Sequence, residues 1–439
     1  MNDKIGKDEN GKVDKLLTGV QEAFTKWKAY SFEQRQTYLI RLSAVLRENK
    51  AAFGGLITEE MGKPISQSLA EVEKCIGLVD YYASAENVLK EERVETDYEI
   101  SMIRHEPMGI VLGVMPWNFP FWQVLRFAVP ALLAGNAVVV KHASICLGSG
   151  RAIERCFRAA GFPQGIFTHV EASHEVVEEM IGHSLVRAVS LTGSEAAGRR
   201  VAEIAGRHLK KCVLELGGND AFIVLDDAEV DKAAEDAALA RLQNSGQTCV
   251  AAKRFIVHEG VYEAFMQRFL KAYQSFSPGI PTDARTVLGA MARKDLAQEL
   301  RQQYEKAIGH GAEILLPLTA VGDQAFEPGL LLMNEDNPVA DEELFGPLGM
   351  VFKVRNDEQA LEIANATAFG LGNAVYTKSK EKALFFARSL ESGSVAVNQI
   401  FRSDVRMPFS GRKNSGYGVE MSLYTLHEFT VKKSIIGFY

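Results

Sequence analysis

The sequence predicts an α/β protein, because short apolar segments of strand length alternate with helical segments over most of the chain. Such alternation favours a parallel, doubly wound sheet with helices on both faces. A second series of the same kind begins near residue 221, so we expect a second α/β domain. The 439 residues, 47% of them hydrophobic, give length for roughly two or three globular domains.

The N-terminal 90 residues are expected to be helical, since apolar side chains recur there at helical spacing. Ser31 stands before one of these segments as an N-cap residue would. The polar, alternating segment 91–107 that follows is better suited to an exposed hairpin than to a core element.

In the first α/β series the predicted strands are 110–114, 137–141, 165–167, 188–191 and 213–216. The predicted helices between them are 122–133, 147–160 and 196–207. In the second series the predicted strands are 221–225, 254–258, 350–354 and 394–397, and the helices are 230–242, 261–275 and 358–365. Segments 278–282 and 338–349 are rich in loop-forming residues. The apolar strand 431–439 has no obvious partner, and another subunit often satisfies such an edge.

Composition excludes several classes of function. The net charge of −7 and the lack of a dense Lys/Arg block argue against a nucleic-acid surface. The most apolar stretch, 127–140, is too short and broken to span a membrane, and segment 1–10 has no apolar signal core. The five cysteines show no CxxC spacing, so we expect neither disulfides nor a metal site, and a cytoplasmic location.

A lone cysteine and a carboxylate in Gly-rich sequence suggest covalent catalysis. Cys249 follows Glu215 by 34 residues; a thiolate is a strong nucleophile, and water needs a base to cleave the resulting thioester. A lone Cys is more often a small buried residue, but the polar run 244–248 would make a poor core. Glu215 interrupts an apolar strand; it is either bonded to nearby backbone at the strand end or functional.

Three further segments could bind a ligand, although each has a purely structural explanation. Segment 190–198 reads as strand, tight turn and helix start, where backbone amides attract phosphate, but its spacing is not the GxGxxG of a Rossmann fingerprint. Lys141 ends another predicted strand, where ligands of open α/β sheets lie. The two prolines of segment 115–120 make a rigid loop that could hold the Asn118 amide as an oxyanion donor.

Taken together and in order, five motifs resemble those of the aldehyde dehydrogenase superfamily: 116–120, 192–194, 215–218, 246–249 and 343–347. The resemblance runs from about residue 15 to the C-terminus, includes 60–64, and is greatest to bacterial succinate-semialdehyde dehydrogenases. It implies oxidation of an aldehyde with NAD or NADP. Relatives usually carry more sequence before the first helix, so packing at that edge is expected to differ.

The resemblance also implies roles for individual residues. Cys249 would attack the aldehyde, Asn118 would hold the oxyanion, and Glu215 would activate water. The residues implied in cofactor binding are Trp117, Lys141, Ser144, Gly193, Ser194, Leu216, Glu343 and Phe345. Strongly NAD-selective members have a Glu at the position of Ser144, so this chain could also accept the 2′-phosphate of NADP.

For the substrate, the resemblance implies a short ω-carboxy aldehyde such as succinate semialdehyde. Arg126 occupies the position of a carboxylate-binding Arg, although it could instead be a structural ion pair. Ser403 matches another substrate position, and Arg402 beside it is a second available cation. Gln243 departs from the pattern, since other succinate-semialdehyde enzymes have an Arg there; Ser410 also departs, replacing a Gly.

The domain arrangement implied by the resemblance is a Rossmann-like parallel-sheet nucleotide domain, a second α/β catalytic domain and a small β oligomerisation segment. The nucleotide domain is predicted to comprise residues 1–90 and 109–216. The catalytic domain is predicted at 217–426, and the oligomerisation segment at 91–108 and 427–439. A homodimer or homotetramer is expected. Two alternatives remain: a CoA-acylating semialdehyde dehydrogenase, which a water-activating Glu215 disfavours, and a non-catalytic binding or structural paralogue.

Overall fold

The computed structural model describes residues 11–437, so the predictions for segment 1–10 and for the last two residues lie outside it. The helices are α1 Lys12–Trp27, α2 Phe32–Glu48, α3 Lys50–Met61, α4 Ile65–Ala83, α5 Trp122–Leu133, α6 Leu147–Ala159, α7 His174–Gly182, α8 Glu195–Arg207, α9 Val230–Leu242, α10 Glu259–Gln274, α11 Lys294–Gly309, α12 Asp357–Asn365 and α13 Lys380–Ser389. The predicted N-cap is confirmed: the Ser31 hydroxyl accepts from the backbone N–H of Gln34, whose side chain in turn accepts from the Ser31 N–H.

The strands are β1 Glu92–Arg93, β2 Ile100–Pro107, β3 Ile110–Met115, β4 Ala137–His142, β5 Phe167–Val170, β6 Val186–Thr192, β7 Lys211–Glu215, β8 Ala221–Val224, β9 Arg254–His258, β10 Glu313–Leu316, β11 Thr319–Val321, β12 Ala325–Glu327, β13 Gly329–Leu332, β14 Leu348–Val354, β15 Phe369–Gly370, β16 Gly372–Tyr376, β17 Ser394–Val397, β18 Arg412–Lys413, β19 Gly416–Tyr417 and β20 Thr430–Gly437. The strand expected at 165–167 begins later, at Phe167.

The first sheet has the order β19-β7-β6-β3-β4-β5 within the described residues, and its strands are parallel except for β19. This confirms the predicted parallel sheet. Helix α5 packs against β3 and β4 on one side and against α4 on the other. Every residue of α5 is therefore buried, although its sequence includes a Gln, an Arg and a Pro.

The second sheet has the order β10-β13-β14-β9-β8-β16-β17, parallel except for β10, which confirms the second α/β unit. Alternate residues of its strands serve different cores: Ile223 and Ile256 pack on one face, and Phe222 and Phe255 on the other. The sequence did not indicate β10, β13, β16, α11 and α13. The segment 338–349, which was predicted to be a loop, ends within a strand, because β14 begins at Leu348.

A third, small sheet joins the two distant segments β2 and β20. They pair antiparallel from Ile100 opposite Gly437 to Pro107 opposite Thr430, and β1 pairs with the other edge of β2. The hairpin at 91–107 is thus confirmed, but the expectation that the terminal strand lacks a partner in its own chain was wrong. The outer edge of β20 is unpaired among residues 11–437. The domain bounds themselves stay a prediction.

Candidate active site

Two cavities meet at Cys249: the larger lies beside the carboxyl ends of β3, β6 and β7, and the smaller is lined by α4, α5 and loops. The larger cavity, of about 640 Å³, is lined among others by Trp117, Asn118, Gly193, Ser194, Leu216, Cys249, Glu343 and Phe345. The smaller cavity, of about 420 Å³, is lined among others by Lys74, Trp122, Arg126, Gln243, Cys249, Arg402 and Ser403. The fold therefore brings most of the predicted cofactor residues to one side of the sulfur and the predicted substrate residues to the other.

The turn before Cys249 is tightly constrained. Asn244 and Ser245 have left-handed φ values of 55° and 54°, which are costly for residues with a side chain. The Asn244 amide compensates by donating to the carbonyls of Asn118 and Gln247, at 3.0 and 3.1 Å. Held in this way, Cys249 is half-buried and lines both cavities, which is consistent with the accessible thiol that the sequence predicted.

Lys253 contacts the backbone at Cys249. The sequence did not indicate a role for this residue. Its buried ammonium donates to the carbonyls of Thr248 and Cys249 and lies 3.4 Å from a carboxylate oxygen of Glu343. Glu343 also accepts from the backbone N–H of Gly218 at 3.0 Å. One buried cation therefore ties the cysteine turn to a residue of the larger cavity.

Gly218 permits this close packing, since a Cβ there would lie 2.6 Å from the carbonyl oxygen of Cys249. The rings of Trp117 and Phe345, which line the larger cavity, meet edge to face with centroids 5.8 Å apart. Together these contacts give the cavity a rigid wall beside the sulfur.

Asn118 is held by a buried ion pair. Lys63 and Glu71 contact each other at 2.5 Å, and the same Lys63 ammonium donates to the backbone carbonyl of Asn118 at 2.9 Å. Glu71 accepts from the backbone N–H groups of Phe121 and Trp122, which begin α5. The loop between β3 and α5 is therefore fixed at both ends.

The Asn118 side-chain amide lines the larger cavity and donates to the carbonyl of Gln247 at 3.0 Å. An amide carries two N–H groups, and the described residues engage one of them as a donor. The other remains to donate to a ligand oxygen in the larger cavity, which Cys249 also lines. A preorganised donor of this kind is what oxyanion stabilisation requires.

Glu215 does not itself line the larger cavity, but the next two residues in the sequence, Leu216 and Gly217, do. It is 2% exposed, and neither carboxylate oxygen has a hydrogen-bond partner among the described residues. Burial, together with the nearby Glu420, raises the pKa of Glu215 well above its ordinary value, whereas Arg126 opposes the shift. An unpartnered buried carboxyl is poorly explained as a structural residue.

Burial also raises the pKa of the Cys249 thiol, to about 11, although Lys253 and Arg126 oppose the shift. In the protein without ligands the sulfur is therefore mostly protonated at neutral pH. We expect the rate of Cys249 alkylation by iodoacetamide to rise roughly tenfold per pH unit between about pH 7 and about pH 9.

This rate is measured as the appearance of singly alkylated protein by mass spectrometry. Cys249→Ala is the control, because the other four free cysteines are buried. A rate that levels off near neutral pH would show that the site stabilises the thiolate, contrary to the effect of burial.

The remaining predicted residues are placed as follows. Ser194 caps α8, and its hydroxyl accepts from the N–H of Ala197, so the first turn of α8 faces the larger cavity. Lys141 is the second-last residue of β4 and Ser144 follows that strand; neither lines either cavity. Lys141 is half-buried, and burial lowers its pKa.

On the substrate side, Arg126 is buried and forms an ion pair with Glu420. One of its terminal nitrogens also contacts the Thr192 hydroxyl at 3.4 Å. Arg126 therefore forms the structural ion pair that the sequence left open as an alternative to carboxylate binding. It also lines the smaller cavity. Arg402 and Gln243 are exposed at the same cavity.

The fold and the cysteine centre define the class of protein. A sequence model described as the aldehyde dehydrogenase family matches residues 3–435, and the chain belongs to this family. The succinate semialdehyde dehydrogenase [NAD(P)+] of Escherichia coli K12 is 40% identical over 423 residues, covering 95% of this chain and 91% of that protein. The succinate-semialdehyde dehydrogenase [NADP(+)] of Deinococcus radiodurans is 37% identical over 438 residues, covering 98% and 91%.

Among solved structures, the succinic semialdehyde dehydrogenase from Streptococcus pyogenes in complex with NADP+ is similar with a TM-score of 0.94. It is 33% identical to this chain, and the match covers 99% of this chain and 96% of that one. The resemblance stated from five short motifs is confirmed, and so is the predicted fold class.

Proposed function

We propose that this enzyme oxidises succinate semialdehyde, or a similar short ω-carboxy aldehyde, to the carboxylate with NAD or NADP. One observation carries the proposal: Cys249 stands where a cavity with nucleotide-binding features meets a smaller cavity lined by cations. The relatives named above, which cover nearly the whole chain, support the same reaction.

In this reaction the Cys249 thiol gives its proton to solvent, and the resulting thiolate forms a bond to the carbonyl carbon of the aldehyde. The Asn118 amide donates to the carbonyl oxygen as negative charge develops there. Loss of hydride leaves a thioester on Cys249. Glu215 then takes a proton from the water that attacks the thioester, and the cysteine is released.

The residues of the larger cavity suit a dinucleotide. The first turn of α8 presents backbone N–H groups to the cavity, as a pyrophosphate requires. Glu343 and Phe345 line the same cavity, and the family resemblance assigns them to the nicotinamide ribose and ring. When bound, the nicotinamide accepts the hydride. The family resemblance puts Lys141 and Ser144 beside the adenosine ribose. Lys141 has no carboxylate partner among the described residues, and Ser144 carries no negative charge to repel a 2′-phosphate, which favours NADP as well as NAD.

Product analysis tests the proposal. With succinate semialdehyde and either nucleotide, we expect one succinate for each NAD(P)H formed, with or without CoA, because water is the acceptor. Formation of succinyl-CoA, dependent on added CoA, would instead establish the acylating alternative. Absence of any NAD(P)H with a panel of short aldehydes would favour the non-catalytic paralogue.

The location and assembly belong to the proposal as well. None of the cysteines in residues 11–437 forms a disulfide bond, which is consistent with the reducing environment of the cytoplasm. No helix in residues 11–437 is long and apolar enough to cross a membrane. The open outer edge of β20 supports a homodimer or homotetramer, because an unpaired strand edge is readily covered by another subunit. The mass of the protein in solution tests this assembly.

A further inference from the structure

One face of helix α4 supplies a cation to the smaller cavity that no motif had indicated. Gln67, Glu71 and Lys74 line this cavity at helical spacing. Glu71 is already neutralised by its buried pair with Lys63. Lys74, by contrast, has no carboxylate within ion-pair distance among the described residues, and its side chain is exposed at the cavity.

The Lys74 ammonium is nevertheless held in place. It donates to the Ser403 hydroxyl at 2.6 Å and lies 4.1 Å from the centre of the Trp122 ring. These contacts come from a loop and a helix far apart in the sequence, so the position of the amine is set by the fold. An ammonium has three N–H donors, and a hydroxyl that accepts one hydrogen bond still has its own proton to donate.

We propose that Lys74 binds the terminal carboxylate of the substrate, next to Ser403, which the family resemblance already implies as a substrate residue, and that Lys74 thereby determines the preference for ω-carboxy aldehydes. This inference rests on the proposed function and identifies the groups that select its substrate class. The ammonium and the hydroxyl present two adjacent donors, which match the two oxygens of a carboxylate. Both line the same cavity as the Cys249 sulfur, which takes the other end of the molecule.

Arg126 is a weaker candidate for this contact. Its charge is balanced by Glu420, and another of its nitrogens faces Thr192. A substrate carboxylate could bind it only by sharing a cation that already holds a buried carboxylate. Arg126 is better assigned as a positioning residue for the buried carboxyls Glu215 and Glu420.

The test compares kcat/KM for succinate semialdehyde and for butanal, an uncharged aldehyde of the same carbon number. We expect Lys74→Met to lower the ratio of the two values roughly 10- to 100-fold, mainly through KM for the charged substrate. Ser403→Ala should act in the same direction, and Lys74→Arg should largely preserve the preference. Lys271→Met is the matched control: it also removes an exposed lysine, but from α10 and away from both cavities, so it should leave the ratio unchanged.

Inhibition by succinate provides a second readout that does not need turnover of a charged aldehyde. With butanal as substrate, Lys74→Met should weaken competitive inhibition by succinate by the same factor. An unchanged ratio and unchanged inhibition in Lys74→Met would overturn the inference. If wild-type enzyme oxidises butanal but not succinate semialdehyde, and succinate still inhibits through Lys74, the proposed substrate is wrong while the carboxylate site stands.

Discussion

Cys249→Ala is expected to abolish aldehyde oxidation, with a loss of roughly 10⁴- to 10⁶-fold in kcat, the range seen when a covalent nucleophile is removed. The sulfur forms the bond from which hydride departs, and no other described cysteine is accessible to replace it. Formation of NAD(P)H measured by absorbance gives the rate.

Nucleotide binding should survive this substitution, because the first turn of α8 and Glu343 do not depend on the sulfur. A fluorescence titration with NADP measures it, since Trp117 lines the same cavity. Cys156→Ala is the matched control: it also removes one thiol, but Cys156 is buried on α6 and lines neither cavity, so activity should be retained. Comparable turnover in Cys249→Ala and wild type would disprove the nucleophile.

Helices and strands whose own residues show both a clear pattern and a clear boundary could be predicted from the sequence. Helices α5 and α9 and strands β9 and β17 match their predicted bounds, because each combines a suitable length with a clear pattern or boundary. Strand β13 was missed because Gly329–Leu332 is a short, continuous apolar run, whose periodicity cannot distinguish a buried strand from other core segments. The pairing of β20 with β2 was missed because the two strands are more than 300 residues apart.

The residues of the candidate site likewise fall into those that the sequence indicates and those that only the fold reveals. Cys249, Asn118 and Glu343 lie in short motifs, so their residue types and their neighbours along the chain are enough to indicate them. Lys74 and Lys253 carry no such signal, since a lone Lys ordinarily indicates a solvated surface. Their importance depends on partners distant in sequence: 329 residues separate Lys74 from Ser403.

Glu215→Gln is expected to separate the two halves of the reaction. Formation of the thioester needs Cys249 and Asn118, whereas its hydrolysis needs a base, whose removal costs roughly 10²- to 10⁴-fold. We therefore expect a burst of about one NAD(P)H per subunit followed by slow turnover, together with an acyl group on Cys249 detected by mass spectrometry. Slow turnover with neither burst nor acyl-enzyme would contradict this role.

The pH dependence gives an independent test of the same residue. The pKa of Glu215 is raised by burial and by Glu420, so the ionised fraction, and with it the hydrolysis rate, should increase with pH. Glu420→Gln removes the repelling charge and leaves Arg126 free to favour the ionised form of Glu215. The kcat profile of this variant should consequently shift to lower pH, whereas in Glu215→Gln the titration that belongs to Glu215 should disappear. A profile that stays the same in both variants would show that another group activates the water.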